Sequence, residues 1–363
     1  MRIVFVLFEA NLTGGVRTVA TYARLLKKRG HQVTVISTPP PARSLKSRLK
    51  SVILGRGWPR IPPPPPSHLD DAGVEHRRLE RFRPVADRDV PDADVVIATW
   101  WLTAEWVAAL SPRKGAKVHF IQGDEAVLPY QPKSRIEATW RLPFRRIVCS
   151  NWLLGLARNR YGDDGAACVP NGVDLEQFSV PPRTKQARPT VGFLYYDTWM
   201  KGCDVAVAAY QLAARRLAGL HLLSFGILPV NEAAPLPTHS EFILRPSQRR
   251  IAELYASCDA WLWPSREEGF GLPILEAMAC RTPVIACPAG AAPELLAGGG
   301  GILLPSAEPQ AMARAIEELT SLAPAAWREI SDQAHACALR HDWAESARLF
   351  EAELEAARQA GIH

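Results

Sequence analysis

No two of the seven cysteines stand at a short paired spacing. That argues against a disulfide framework or a zinc site, and for reduced thiols in a cytoplasmic protein. No apolar run is long enough to span a bilayer. The apolar start, Met1 to Phe8, is too short for a signal peptide and runs into Glu9, so it is expected to be a buried strand. No Gly-x-Gly-x-x-Gly follows that strand, which weakens a dinucleotide oxidoreductase. Acidic residues are missing between the proline runs 39–41 and 62–66, where Arg43, Lys46, Arg48, Lys50, Arg56 and Arg60 alternate with Leu45, Leu49, Val52, Ile53, Leu54 and Trp58. The remainder is ordinary for a soluble enzyme: 363 residues, 47% hydrophobic and 22% charged, more than one hydrophobic core usually serves, so two domains are expected.

The most informative stretch runs from Ser265 to Ala286 and reads as loop, helix, strand, with Pro273 where a helix starts and Pro283 to Ala286 restarting an extended run. Gly269 and Gly271 let the backbone approach a ligand closely, and a helix beyond them points unpaired N–H groups at whatever sits there. That is a seat for phosphate. Glu268 and Glu276 bracket it, so a neutral polyol on either side of a diphosphate could be gripped. Taken singly, each feature has a structural reading, because acids in a first helical turn complement its dipole and glycine before a helix is common. The joint spacing is what points to a ligand.

Glu268-Gly-Phe-Gly-Leu-Pro-Ile-Leu-Glu276 resembles the Glu-x7-Glu signature of the retaining family-four glycosyltransferases. The resemblance implies an α/β protein of the GT-B fold: two Rossmann-like parallel-sheet domains facing a central cleft, with a C-terminal helix crossing back to the first. It implies transfer of a hexose or deoxyhexose from a nucleoside-diphosphate sugar to an acceptor hydroxyl, with retention, no cofactor and no metal. Glu268 would hold sugar hydroxyls and Glu276 the ribose, with Gly269, Phe270, Gly271 and Leu272 along the donor. Lys201-Gly202 resembles the family's phosphate-contacting Lys-Gly, and the backbone around Arg245 would meet the nucleobase edge. The arginine usual just after the preceding strand is replaced by Tyr196-Asp197, so phosphate binding would lean on Lys201, helix dipoles or an arginine from elsewhere.

The amino-terminal half agrees. Strand, glycine turn (Gly14-Gly15), helix from Thr18 to Arg29 and strand Gln32 to Ser37 form a doubly wound unit, and the family's glycine turn faces the donor phosphates. Strand Ala93 to Thr99 delivers Trp100 and Trp101, and strand Lys117 to Ile121 delivers Gln122, Asp124 and Tyr130, all at carboxyl ends, where open α/β sheets bind ligands. Trp100, Trp101 and Tyr130 are the acceptor-side candidates, with aromatic core packing the competing fate. Gln122 and Asp124 are candidates for catalysis, since the histidine common at this place in related transferases is missing and Phe120 to Glu125 resembles a subset that includes rhamnosyltransferases. Asp87, Asp89, Asp92 and Asp94 precede the strand, on the wrong side for a metal site.

The expected domains are 1–180 on the acceptor side, carrying the basic insertion 39–66; 181–340 for the nucleotide sugar; and a terminal helix over 341–363, with the boundary in the proline-bearing linker from Pro181 to Pro189. Expected partners are the donor and a sugar, glycolipid or polysaccharide acceptor, with no nucleic acid. Residues 43–60 are either a solvated insertion or a contact with an anionic membrane face, which would make the protein peripheral. Two other readings stay open: a nucleotide-sugar epimerase or hydrolase on the same fold, and an inactive sugar-nucleotide-binding homologue.

Overall fold

The computed structural model describes residues 1–40 and 65–361. The basic stretch 43–60 lies outside the described residues.

The first sheet consists of β1 (Arg2–Glu9), β2 (Gln32–Thr38), β3 (Glu75–Arg78), β4 (Val95–Ala98), β5 (Ala116–Ile121), β6 (Arg145–Val148) and β7 (Ala167–Cys168). Their order is β3-β2-β1-β4-β5-β6-β7, and the strands from β3 to β6 pair in parallel. The second sheet consists of β8 (Thr190–Leu194), β9 (His221–Gly226), β10 (Glu241–Leu244), β11 (Ala260–Trp263), β12 (Val284–Ala286) and β13 (Gly301–Leu303), in the order β10-β9-β8-β11-β12-β13 and parallel throughout. Each order reverses direction once, beside β1 in the first sheet and beside β8 in the second. That reversal leaves a crevice at the carboxyl ends of two neighbouring strands, where doubly wound sheets bind ligands. The central strands, such as β1, β4, β5 and β11, are near-continuous buried apolar runs, as expected of parallel sheets covered on both faces.

The chain divides into two compact units, Met1–Val148 with Ala157–Ala167 and Ala347–His363, and Cys149–Leu156 with Cys168–Ser346. The expected break at 181 thus falls later than the observed one. Ser150 is the reason: it is fully buried and its hydroxyl donates to the Gly269 carbonyl at 2.7 Å, so the start of the helix Asn151–Tyr161 is fixed within the second unit. The last helix, Trp343–Gln359, ends in the first unit, where Phe350 stacks on Tyr22 at 4.3 Å and meets Phe120 edge-on at 5.1 Å. Burial of such a ring contributes about 1.5–3 kcal/mol.

Other differences from expectation are local. Helix α1 spans Gly14–Lys28, so Gly14 and Gly15 form its first turn and not a turn ahead of it. A first turn needs no intrahelical N–H bonds, so glycine costs less there than in a helix interior. Strand β3, Glu-His-Arg-Arg, has no apolar pattern to betray it; it is an edge strand held by its ladder to β2 and by Thr34 Oγ1 donating to Glu75 at 2.9 Å.

Candidate functional site

In the second unit two loops leave the carboxyl ends of β8 and β11, the strands beside the order reversal. The first makes a short turn, Trp199–Lys201, then Gly202 in the left-handed region (φ 64°), then helix α2 (Cys203–Ala214). A Cβ at Gly202 would overlap the Pro264 carbonyl, so the two loops touch at backbone level only because this residue is glycine. The second loop runs from Pro264 to Gly271, which caps helix α3 (Leu272–Ala279) at φ 103°. No side chain caps that helix and no acid stands in its first turn. Pro273 has no N–H and the Ile274 N–H donates to the Gly271 carbonyl at 3.0 Å, so what the helix start offers an anion is its dipole and the remaining N–H groups, without a first-turn carboxylate in competition.

Two charged groups meet there, and a second carboxyl lies further along the helix. Lys201 and Glu268 form an ion pair, and Ser265 Oγ lies 3.3 Å from the same Glu268 oxygen. The Lys201 ammonium also sits 5.8 Å from the centre of the Trp263 ring. Glu276, one turn into α3, is 3% exposed and accepts from the Tyr255 hydroxyl at 2.8 Å. Phe270 is buried, its carbonyl bonded by Ala291 N–H at 3.0 Å, while Ser150 fixes Gly269. Asn151 holds the Glu294 carboxylate, which desolvation raises above the usual range against the pull of that residue's N–H groups. Arg245 adopts φ 49°, a strained value for a residue with a Cβ, and its Nε donates to the Ile227 carbonyl at 2.8 Å.

In the first unit a cavity of about 200 Å³ opens at the ends of β1, β4 and β5. Glu9, Asn11, Gly15, Trp100 and Gln122 are among its walls. Gln122 Nε2 lies 3.4 Å from the Gly15 carbonyl. Trp100 is set by Thr103, whose hydroxyl accepts the N–H of both Thr99 and Trp100 at 3.0 Å, and by edge-on contact with Phe8 at 4.7 Å. The other candidates lie elsewhere. Trp101 is core: 4% exposed, packed with Ala126 and Ile136, its indole N–H on Gln131 and Arg135 over its ring. Asp124 caps the turn Glu125–Val127 through Ala126 N–H at 3.0 Å and pairs with Arg160 at 3.2 Å, and Tyr130 is 76% exposed outside the cavity lining. Gly14 does not line the cavity either. Desolvation, assisted by the Asp124 charge, lifts the Glu125 carboxyl well above its usual range although it accepts Trp101 N–H at 2.8 Å.

The four early aspartates are all engaged: Asp87 by Ser111 N–H, Asp89 by Arg83, Asp92 by Lys114 and Asp94 by Arg2.

Two family models match, "Glycosyltransferase Family 4" over residues 12–177 and "Glycosyl transferases group 1" over residues 188–321. The chain belongs to the family-four glycosyltransferases of the GT-B fold. It is 27% identical over 332 residues to the phosphatidyl-myo-inositol mannosyltransferase of Mycolicibacterium smegmatis, covering 85% of this chain and 82% of that one. It is 30% identical over 214 residues to a D-inositol 3-phosphate glycosyltransferase of Segniliparus rotundus, covering 53% and 47%. In fold this glycosyltransferase is similar to sucrose-phosphate synthase from Thermosynechococcus elongatus (TM-score 0.75, 17% identity, 99% and 100% covered). It is similar also to HepE of Anabaena, crystallised with UDP and glucose (TM-score 0.70, 17% identity, 98% and 99% covered).

Sequence reasoning overlooked several residues of this glycosyltransferase that hold the candidate site. Tyr255, on the helix Gln248–Ala256, and Ser150, just ahead of the helix Asn151–Tyr161, touch it from positions distant in sequence. Arg266, which bonds the Trp199 carbonyl at 2.8 Å and Asp204 at 2.6 Å, stands two positions before Glu268, and that neighbourhood was its one signal. Among the described residues no helix is long and apolar enough to cross a membrane.

Proposed function

We propose that this glycosyltransferase takes a sugar from a nucleoside-diphosphate sugar and passes it to an acceptor hydroxyl, with retention of anomeric configuration and without a metal. The observation that carries the reading is the Lys201–Glu268 pair beside the amino end of α3, which no side chain caps. Departure of a nucleoside diphosphate leaves charge on phosphate oxygens, and a lysine together with preorganised N–H groups is suited to that charge. Glu268 then serves the sugar hydroxyls and Glu276 the ribose. The leaving phosphate accepts the acceptor's proton, so no strong protein base is required. HepE, which binds UDP and glucose, and the relatives named for inositol-based acceptors support a nucleotide-linked donor and a polyol or glycolipid acceptor. The cavity holding Glu9, Trp100 and Gln122 suits a sugar or polyol, with an apolar ring face and hydrogen-bonding groups around it.

A panel of UDP-, GDP-, ADP- and dTDP-sugars, scored by calorimetry for binding and by release and transfer of sugar, tests this. At least one donor is expected to bind and react; a chain that binds none is not a transferase of this kind.

Two further outcomes are expected. Activity should persist in EDTA, because charge neutralisation falls to Lys201 and the helix N–H groups; loss in EDTA with recovery in manganese would refute the metal-free reaction. The second concerns residues 43–60, whose basic and apolar side chains suit an anionic lipid surface at roughly 1 kcal/mol per basic residue. In sedimentation with anionic vesicles the protein should pellet at low salt, dissociate as salt rises, and stay soluble once the six charges are neutralised. A wild type that remains in the supernatant at low salt would end the membrane proposal.

A further inference from the structure

Lys201 does not sit on a regular element. Its turn, Trp199–Lys201, has no buried residue, and Trp199 is 65% exposed. With no fully buried side chain in the turn, polar contacts become the means of fixing the ammonium opposite Glu268. Arg266 makes the contacts that can. Its backbone N–H donates to the Met200 carbonyl at 2.7 Å. Its Nη1 donates to the Trp199 carbonyl at 2.8 Å and to Asp204 Oδ1 at 2.9 Å, and its Nη2 to Asp204 Oδ2 at 2.6 Å. The guanidinium lies 5.4 Å from the centre of the exposed Trp199 ring.

One side chain thereby holds both ends of the Lys201 turn: the carbonyl of its first residue, and the carboxylate in the first turn of the helix that follows. Its own backbone is two residues from Glu268. A forked, planar guanidinium can do this; a lysine at the same place cannot bond two carboxylate oxygens in parallel while lying against an indole. The charge coupling is visible in both partners: the bond to Asp204 raises Arg266, and the bond to Arg266 holds the Asp204 carboxyl low.

We propose that Arg266 is a positioning residue that rivets the loop after β8 to the loop after β11 and so sets Lys201 opposite Glu268. The proposal rests on the donor-site reading above for its effect on turnover, and on geometry alone for its effect on the loops.

The test uses the full chain with Arg266→Ala, Arg266→Lys and Lys201→Ala, and the Arg266→Ala, Lys201→Ala double variant. Hydrogen exchange of the backbone amides reports on the loops, and kinetics use whichever nucleotide sugar of the panel reacts. In Arg266→Ala, amides of 198–204 should exchange about tenfold or more faster, as expected for a locally opened segment, while β8 and β11 keep their protection and show the unit folded. Turnover should fall roughly 10- to 100-fold, the scale for a reacting group displaced by about 1 Å, with donor KM changed less than about threefold. Lys201→Ala should cost less in the Arg266→Ala background than in the parent, because a misplaced ammonium has less to lose. Arg266→Lys should recover only a minor part of the loss.

Unchanged exchange in 198–204, full recovery with lysine, or losses that simply multiply would each overturn the rivet. Faster exchange with unchanged turnover would overturn the positioning role. If the parent turns over no nucleotide sugar and binds none of UDP, GDP, ADP or dTDP, the donor-site reading falls instead. Exchange then decides the rivet by itself, faster 198–204 amides supporting it and unchanged ones overturning it.

Discussion

Replacing Lys201 by alanine is expected to lower turnover by about a hundredfold or more, the usual effect of removing one preorganised group from a developing anion. The expectation is sharper because the arginine usual after β8 is replaced by Tyr196, whose N–H lies 3.2 Å from Cys203 Sγ, and by Asp197, which bonds Asn231. Neither supplies positive charge. Arg266 is committed to Asp204 and the Trp199 carbonyl, and Arg245 to the Ile227 carbonyl. Lys201 is therefore the cation in this part of the second unit whose partner, Glu268, is itself assigned to the substrate. On the proposed reading, donor binding would exchange that ion pair for Lys201 on phosphate and Glu268 on sugar hydroxyls. The loss should appear in kcat, with nucleoside-diphosphate affinity falling less, because charge on the phosphate oxygens grows as the bond to the sugar breaks. Turnover within about threefold of the parent, judged against that same effect, would mean that another cation does the work.

Much of this was legible in the sequence, and the rest was hidden for definite reasons. Glycine-punctuated alternation of apolar strands and amphipathic helices implies doubly wound sheets, and doubly wound sheets place ligands at strand ends, so Trp100 and Gln122 could be put at strand ends without coordinates. Lys201 and Glu268, by contrast, became candidates through the resemblance of Lys201-Gly202 and of the Glu268 to Glu276 stretch to a known family. Sequence order does not reveal which side chains fill that region and which pack beneath it. Trp100 and Trp101 are adjacent and chemically identical, yet Trp100 stands in extended conformation ahead of the helix and lines the cavity, whereas Trp101 is the first helical residue and is buried among Ala126 and Ile136. The place of the division between units was hidden too, because proline and polar composition mark a linker, whereas the division depends on contacts such as that of Ser150 with Gly269, 119 positions away. Strand β3 escaped because an edge strand needs its ladder to one neighbour and no apolar face to form.

The second large effect is expected at Glu276, where alanine should weaken nucleoside-diphosphate binding by about ten- to a hundredfold, the equivalent of one charge-assisted hydrogen bond of about 1.5–3 kcal/mol. Its position makes the measurement demanding. The carboxylate is almost fully buried and bonded to the Tyr255 hydroxyl, and Tyr255 packs edge-on against Trp261 at 4.5 Å and Phe178 at 6.0 Å. Removing the carboxylate therefore takes a partner from a buried hydroxyl as well as from any ligand, at a stability cost of about 1–3 kcal/mol. Tyr255→Phe separates the two effects. It deletes the hydroxyl but leaves the carboxylate and the aromatic packing, so it should lower the melting temperature while weakening nucleotide binding much less than Glu276→Ala does. The nucleoside alone provides the second control: if Glu276 serves the ribose, affinity for nucleoside and nucleoside diphosphate should fall by the same factor, whereas a phosphate contact would spare the nucleoside. Calorimetry on the two variants with both ligands reads this directly. Unchanged nucleoside-diphosphate affinity in Glu276→Ala, in protein whose fold is intact, would remove the ribose role and leave Glu276 as the buried partner of Tyr255.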